Sequence, residues 1–151
     1  MNRESGRVRT LEGHRQVQHG FTLIEMMITV VVLALIAAVA YPSYTRYVVR
    51  ANRQAAQTEL VQMANLQEKI YLNSNAYSAS VTTAYDGTSA GGLGKTSGLT
   101  SDGKYTLTVS PTTSGQIFTL TATPVTTGTQ ANDGVISITS TGIKTWGTST
   151  W

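Results

Sequence analysis

Residues 21–41 decide the fold of this chain, and they read Phe-Thr-Leu-Ile-Glu-Met-Met-Ile-Thr-Val-Val-Val-Leu-Ala-Leu-Ile-Ala-Ala-Val-Ala-Tyr. The stretch is almost wholly apolar, and its only charged residue is Glu25. A helix rises about 1.5 Å per residue, so about 20 residues span the roughly 30 Å of hydrocarbon in a bilayer. The stretch therefore predicts a transmembrane helix. A carboxylate within it is costly unless it is paired, which makes Glu25 a candidate functional residue.

The composition changes on both sides of this apolar stretch. The preceding residues carry four arginines against two glutamates, whereas the following ones are polar and rich in Ala, Gln and Arg. Farther on, the chain turns to Thr, Ser and Gly with short apolar runs. These changes predict a basic leader over residues 1–20, a transmembrane helix over 21–41, an amphipathic continuation of that helix over 42–75, and a loop with a β-rich head over 76–151.

The segment after the apolar stretch has the pattern of a helix that packs on a sheet. Its apolar positions recur at spacings of three and four, as one face of a helix requires. The expected buried stripe consists of Ala56, Leu60, Met63, Gln67 and Ile70.

Proline and arginine mark the start of this second half of the helix. Pro42 removes one backbone donor, so we expect a bend or a local break there. Arg46, Arg50 and Arg53 are spaced by four and three, which places them on one basic contact face just outside the membrane. That face would meet water, lipid head groups or polar groups of a neighbouring subunit.

The head predicts an antiparallel sheet. Apolar and polar residues alternate from Tyr105 to Val109 and from Phe118 to Ala122, as half-buried strands require. Two shorter strands are expected over 135–139 and 143–146, after a turn at Asn132-Asp133-Gly134. In this turn we expect the Asp133 side chain to bond its own backbone. The predicted fold is of the α+β class, a long helix packed on a small four-stranded antiparallel sheet.

Composition argues against most catalytic sites. The chain has 151 residues, no cysteine and two histidines, both before residue 20. This excludes a disulfide framework and a thiolate site, and no metal site or cofactor is predicted. Nothing in the sequence places two acids together, so we expect no enzyme. The net charge of +3 with 13% charged residues does not indicate a general nucleic-acid coat, although nucleic acid stays an alternative partner.

A secretory signal is the rival interpretation of the N-terminal region. A basic region, an apolar core and Ala38-Val39-Ala40 are typical of a signal with an A-x-A cleavage site. Cleavage there would release a soluble domain that starts at Tyr41. Against this, the apolar run is long for such a signal, Glu25 interrupts its approach, and the helical pattern continues past the site.

Several motifs together resemble a known family. The run from Gly20 to Met27, Gly-Phe-Thr-Leu-Ile-Glu-Met-Met, is similar to the prepilin peptidase site of type IV pilins. The stretches 41–53, 67–78, 105–108 and 118–124 continue the resemblance, which is greatest to the PilE-type minor pilins. Those heads often close a loop with a disulfide. This chain has no cysteine, so packing would have to hold that loop.

The resemblance implies roles for particular residues. A membrane peptidase would cut between Gly20 and Phe21, and the same enzyme would methylate the new amino group of Phe21. Glu25 would then pair with the Phe21 amine of a neighbouring subunit during assembly. The implied partners are other pilin subunits, the prepilin peptidase and methyltransferase, and the pilus assembly machinery of the inner membrane.

The resemblance also implies a location and leaves the type of subunit open. The precursor would span the inner membrane once with its N-terminus in the cytoplasm, and the product would sit in an extracellular pilus or a periplasmic pilus base. We favour a minor pilin. A major pilin and a type II secretion pseudopilin are alternatives, and so is a competence pilin that binds DNA through Lys95, Lys104 or Lys144.

Overall fold

The computed structural model of the chain describes residues 20–112 and 114–151. The leader predicted over residues 1–20 lies outside this part of the chain, except for Gly20. The chain divides into two units, with the boundary between Val39 and Ala40.

One long helix of 52 residues, α1 (Leu23–Ser74), precedes the sheet. Residues up to Val39 contribute a single helical segment to the first unit, and its apolar side chains are exposed. The helix continues through Pro42 without interruption. A bend at Pro42 stays a prediction.

The second unit contains an antiparallel sheet whose strands follow each other in chain order. Four strands were predicted and the sheet has five, so the predicted count was wrong. The extra strand is only two residues long, and both residues are exposed, so it carries no apolar alternation that a pattern could reveal. The strands are β1 (Tyr105–Thr112), β2 (Ile117–Pro124), β3 (Ile136–Thr139), β4 (Lys144–Trp146) and β5 (Ser149–Thr150).

The core of the second unit lies between α1 and the sheet. All five residues of the predicted stripe on α1 are buried, which confirms that prediction, and Glu59 is buried beside them. The alternating residues of β1 and β2 face this stripe, because successive side chains of a strand point to opposite faces. The strand residues in the core are Tyr105, Leu107, Phe118, Leu120, Ala122, Ile136 and Ile138.

Buried polar side chains of α1 fix the long segment between the helix and β1. The Gln67 amide donates to the Ser78 carbonyl oxygen at 2.8 Å and accepts from the Ser78 N–H at 2.9 Å. The Glu59 carboxylate accepts from Lys95 Nζ at 2.9 Å and from the Ser101 N–H at 2.7 Å. These bonds satisfy groups that would be costly to bury alone.

Packing also holds the last strand, as the absence of cysteine requires. The indole of Trp151 packs against the core and donates to the Thr145 carbonyl oxygen at 3.0 Å. Lys144 Nζ lies 4.8 Å from the centre of the Trp151 ring, within the range of a cation–π contact.

The core predicts a sharp difference between two leucines of the same helix. Leu60 is 0% exposed and Leu72 is 84% exposed. Leu60→Ala should lower the free energy of unfolding by about 2–5 kcal/mol, because it leaves a cavity. The matched control Leu72→Ala should change it by less than about 0.5 kcal/mol. Thermal unfolding of the full chain in detergent measures both, and equal effects would contradict this core.

Candidate functional site

The start of α1 gathers the predicted processing residues. The N–H of Glu25 donates to Thr22 Oγ1 at 3.2 Å, so Thr22 caps the helix, and Glu25 lies in its first turn. An acid in that position is favourable, because backbone N–H groups are unpaired at a helix start. Phe21 is 74% exposed. Around Gly20, no described atom lies within 4 Å of the position that a Cβ would take.

The helix that follows presents an uncovered apolar surface. Its large apolar side chains between Phe21 and Val39 are 46–80% exposed. This half of α1 is long and apolar enough to cross a membrane. One side of it forms a shallow groove of about 420 Å³ lined by Leu23, Met26, Met27, Val30 and Val31.

The three predicted basic residues meet at one cleft in the second unit. Arg46, Arg50 and Arg53 line a cleft of about 590 Å³ together with Thr129 and Trp146. The structure therefore brings the arginines together. Arg53 differs from the other two, because it forms an ion pair with an acidic residue of the fold.

Asp133 is that partner, and its carboxylate is the centre of a polar cluster. Arg53 donates to both carboxylate oxygens, and its Nε lies 3.1 and 2.9 Å from them. The Tyr105 hydroxyl donates to the second oxygen. The Arg53 guanidinium also stacks on Trp146, with Cζ 3.5 Å from the ring centre.

Gln130 extends the Asp133 cluster to the backbone of α1. Its amide nitrogen donates to the Tyr105 hydroxyl at 2.6 Å and to the Val49 carbonyl oxygen at 3.2 Å, and its oxygen accepts from Asn52 at 3.2 Å. Among the described residues, no buried side-chain nitrogen or oxygen lacks a partner. A cluster satisfied in this way fixes the helix against β1 and the turn.

The charges of the cluster support each other. Burial acts to raise the pKa of Asp133, but the hydrogen bonds from Arg53 and Tyr105 outweigh it and hold that pKa below its usual range. The hydrogen bond to Asp133 raises the pKa of Arg53. Burial and the bond to Asp133 raise the pKa of the Tyr105 hydroxyl. The cluster is therefore an ionised Asp–Arg pair with a neutral tyrosine.

The sequence interpretation of Asp133 was wrong, because the structure gives its carboxylate long-range partners. We expected it to bond its own turn, but its partners lie on α1 and β1. The turn still matters for the geometry. Gly134 has φ +92°, and a Cβ there would approach the Trp146 indole nitrogen to 3.1 Å. The Asn-Asp-Gly motif predicted the turn, but it could not predict an ion pair with a residue 80 positions away.

The described residues offer no centre for metal chemistry. No group of three His, Asp or Glu side chains within residues 20–112 and 114–151 is placed to hold a metal ion. The described residues instead form a helix with an exposed apolar surface and, in the second unit, a basic cleft.

Comparison of the sequence with models of known protein families identifies the family of this chain. A family described as "Type IV minor pilin ComP, DNA uptake sequence receptor" matches residues 42–136. The chain belongs to the type IV pilin family. A family described as "Prokaryotic N-terminal methylation motif" matches residues 15–41 of this pilin.

Relatives of this pilin carry fimbrial names. It is 48% identical over 42 residues to the fimbrial protein EcpC of Eikenella corrodens, which is 28% of each chain. It is 37% identical over 59 residues to the type IV major fimbrial protein FimA of Dichelobacter nodosus, or 39% of this chain and 38% of that one. The chain thus spans well under half the length of these two relatives. A fimbrial protein of Pseudomonas aeruginosa is 27% identical over 134 residues, 87% of this chain and 84% of that one.

A solved structure of a type IV pilin from Shewanella oneidensis is also similar to this pilin. It shares 25% sequence identity, with a TM-score of 0.49, over 68% of this chain and 97% of that one.

The Asp133 cluster predicts an acid-sensitive head. An Asp with a lowered native pKa stabilises the fold above its unfolded pKa of about 3.9, and this contribution is lost as the pH falls from about 5 through the native value. Asp133→Asn should cost about 3–5 kcal/mol at neutral pH, because Arg53 is left unpaired. In this variant the free energy of unfolding should also decrease less as the pH falls into the acid range.

Asp102→Asn is the matched control for this experiment. Asp102 Oδ1 accepts from Thr100 and from the Lys104 N–H in its own turn, and an amide oxygen preserves that acceptor. Denaturant unfolding of both variants between about pH 3 and pH 7 measures the effect. An Asp133→Asn protein with the wild-type acid profile would show that the cluster does not govern it.

Proposed function

We propose that this chain is a structural subunit of a type IV pilus, processed after Gly20, methylated on Phe21 and polymerised through α1. The observation that carries the proposal is the uncovered apolar surface of residues 21–39. Such a surface is stable in lipid before assembly and against neighbouring helices afterwards. In this proposal the role is structural and not catalytic.

The proposal includes a route through the cell. The precursor spans the inner membrane once, with its N-terminus in the cytoplasm, and meets a prepilin peptidase that also methylates it. The inner-membrane assembly machinery then moves the subunit into an extracellular pilus or a periplasmic pilus base. The match of residues 15–41 to the methylation motif supports this order of events.

Glu25 is the proposed register device of assembly. A carboxylate and an ammonium in an apolar surrounding are each costly, and a pair between neighbouring subunits removes both costs. Subunits out of register leave both charges unpaired. The pair would therefore select one axial offset between helices as well as contribute affinity.

Among the kinds of pilin, we favour a minor pilin. The name of the family that matches residues 42–136 supports it, whereas relatives named as major fimbrial proteins support a major pilin. Abundance in sheared filaments separates the two. A type II secretion pseudopilin would instead leave piliation intact when deleted and block secretion.

The Glu25 role predicts an assembly defect without a processing defect. Glu25→Gln preserves the shape of the side chain but leaves the Phe21 amine of the neighbour unpaired, so its incorporation into sheared filaments should fall more than tenfold. Membrane levels of the processed subunit should not change.

Glu68→Gln removes the same charge from the second half of α1 and is the matched control. Glu68 is exposed and accepts from the Tyr77 hydroxyl at 3.0 Å, which the amide oxygen also does. Its incorporation should equal that of the wild type. Wild-type incorporation of Glu25→Gln would remove the carboxylate from the assembly mechanism.

A DNA-binding pilin is the second candidate function. The family name that includes a DNA uptake sequence receptor favours it. Of the three lysines proposed to contact DNA, Lys95 is paired with Glu59. Lys104 is exposed and Lys144 lies over Trp151, so these two are the better candidates. An aromatic ring beside a cation suits a nucleic-acid contact.

This candidate predicts salt-dependent binding of duplex DNA by the full chain in detergent. Lys104→Gln and Lys144→Gln should each lower the salt dependence of the binding constant by about one phosphate contact. Lys95→Gln is the control and should preserve that dependence. Fluorescence anisotropy across a salt series measures it, and binding that is absent at low salt would reject the candidate.

A further inference from the structure

The rim of the basic cleft carries two arginines that form no ion pair with any described acidic residue. Arg46 and Arg50 are exposed and lie one turn apart on α1. The ion pairs of the described residues join Arg53 to Asp133 and Lys95 to Glu59. The cleft therefore holds two positive charges that no described carboxylate neutralises. Like charges four residues apart on a helix repel each other, so an anion between them would stabilise this face.

The two guanidinium groups are held so that their ends stay free. Arg46 Nε donates to the Pro42 carbonyl oxygen at 3.1 Å, and Arg50 Nε donates to the Arg46 carbonyl oxygen at 3.4 Å. Their terminal nitrogens donate to no described residue. A guanidinium fixed at Nε offers its remaining N–H donors as a fork that matches the oxygens of a phosphate group.

The position of these arginines in the chain favours a lipid head group as the source of the phosphate. Arg46 follows Tyr41, the last residue of the proposed span, by five residues, or about 8 Å of helix. The head-group layer of a bilayer begins where the hydrocarbon ends and is several ångströms thick. Tyr44 and Tyr47 are 67% and 66% exposed on the same stretch, and exposed aromatic residues are typical of this layer.

We propose that the cleft of Arg46, Arg50 and Trp146 binds the phosphate of an anionic phospholipid in the head-group layer. This inference rests on the proposed transmembrane placement of residues 21–41. Nucleic acid carries the same phosphate chemistry, but the short distance from the apolar span favours lipid. The bound head group offsets part of the positive charge of the two arginines while the subunit is in the membrane.

A fluorescence experiment locates the lipid at the cleft. The chain has two tryptophans, so Trp151→Phe leaves Trp146 as the only indole. The full chain in phosphatidylcholine nanodiscs is titrated with phosphatidylglycerol that carries a nitroxide near the top of its acyl chain. A phosphatidylcholine with the same label is the lipid control. Phosphatidylglycerol should quench Trp146 more strongly than phosphatidylcholine, and added salt should weaken the difference.

Charge variants separate the cleft from the general charge of the chain. Arg46→Gln with Arg50→Gln should raise the lipid fraction needed for half quenching by roughly ten- to thirtyfold. Lys69→Gln with Lys104→Gln removes the same charge from two other exposed positions and should leave the titration unchanged. Free inorganic phosphate should not reverse the quenching.

Several results would overturn the inference. Equal quenching by the two lipids, an unchanged titration in the double arginine variant, or displacement of the lipid by free phosphate or duplex DNA would each do so while the chain remains inserted. A chain that alkaline carbonate extracts from the membrane would overturn the proposed span as well, which distinguishes the two failures.

Discussion

The first half of α1 exposes an apolar surface that must find cover outside the unit to which it belongs. Side chains of this size and exposure in water would drive association, because each buried methylene stabilises by about 0.8 kcal/mol. Lipid and the helices of other subunits both provide such cover. In the proposed function, lipid covers this surface before assembly and neighbouring helices cover it afterwards, and the fold of the subunit does not have to change.

The head has a different organisation, since its stability depends on a buried polar cluster as well as on an apolar core. The Asp133 carboxylate joins Arg53 of α1 to Tyr105 of β1, and Gln130 connects the same tyrosine to the helix backbone. This arrangement has a consequence for the surface. It neutralises Arg53, and it leaves the positive charge of the cleft to Arg46 and Arg50, which lie nearer to the apolar stretch along α1.

The sequence predicted those parts of the structure that repeat with a regular period. The stripe from Ala56 to Ile70 follows the helical period and is buried, and β1 and β2 follow the period of two. It did not predict β5, because two exposed residues have no period. It also did not predict the partners of Asp133. A turn motif predicts hydrogen bonds to the neighbouring backbone, but it contains no information about a guanidinium 80 residues away. The basic face was predicted as one surface of three arginines, and only the fold shows that Arg53 is paired with Asp133.

The most direct test of the account is the identity of the first residue in the mature protein. Intact mass and N-terminal sequencing of the chain from membranes or sheared filaments give it in one preparation. Processing as a pilin should give a chain that begins at an N-methylated Phe21 and retains the whole apolar helix with Glu25. A chain that begins at Tyr41 would contradict it, because the apolar surface would then be a discarded signal and the head a secreted domain.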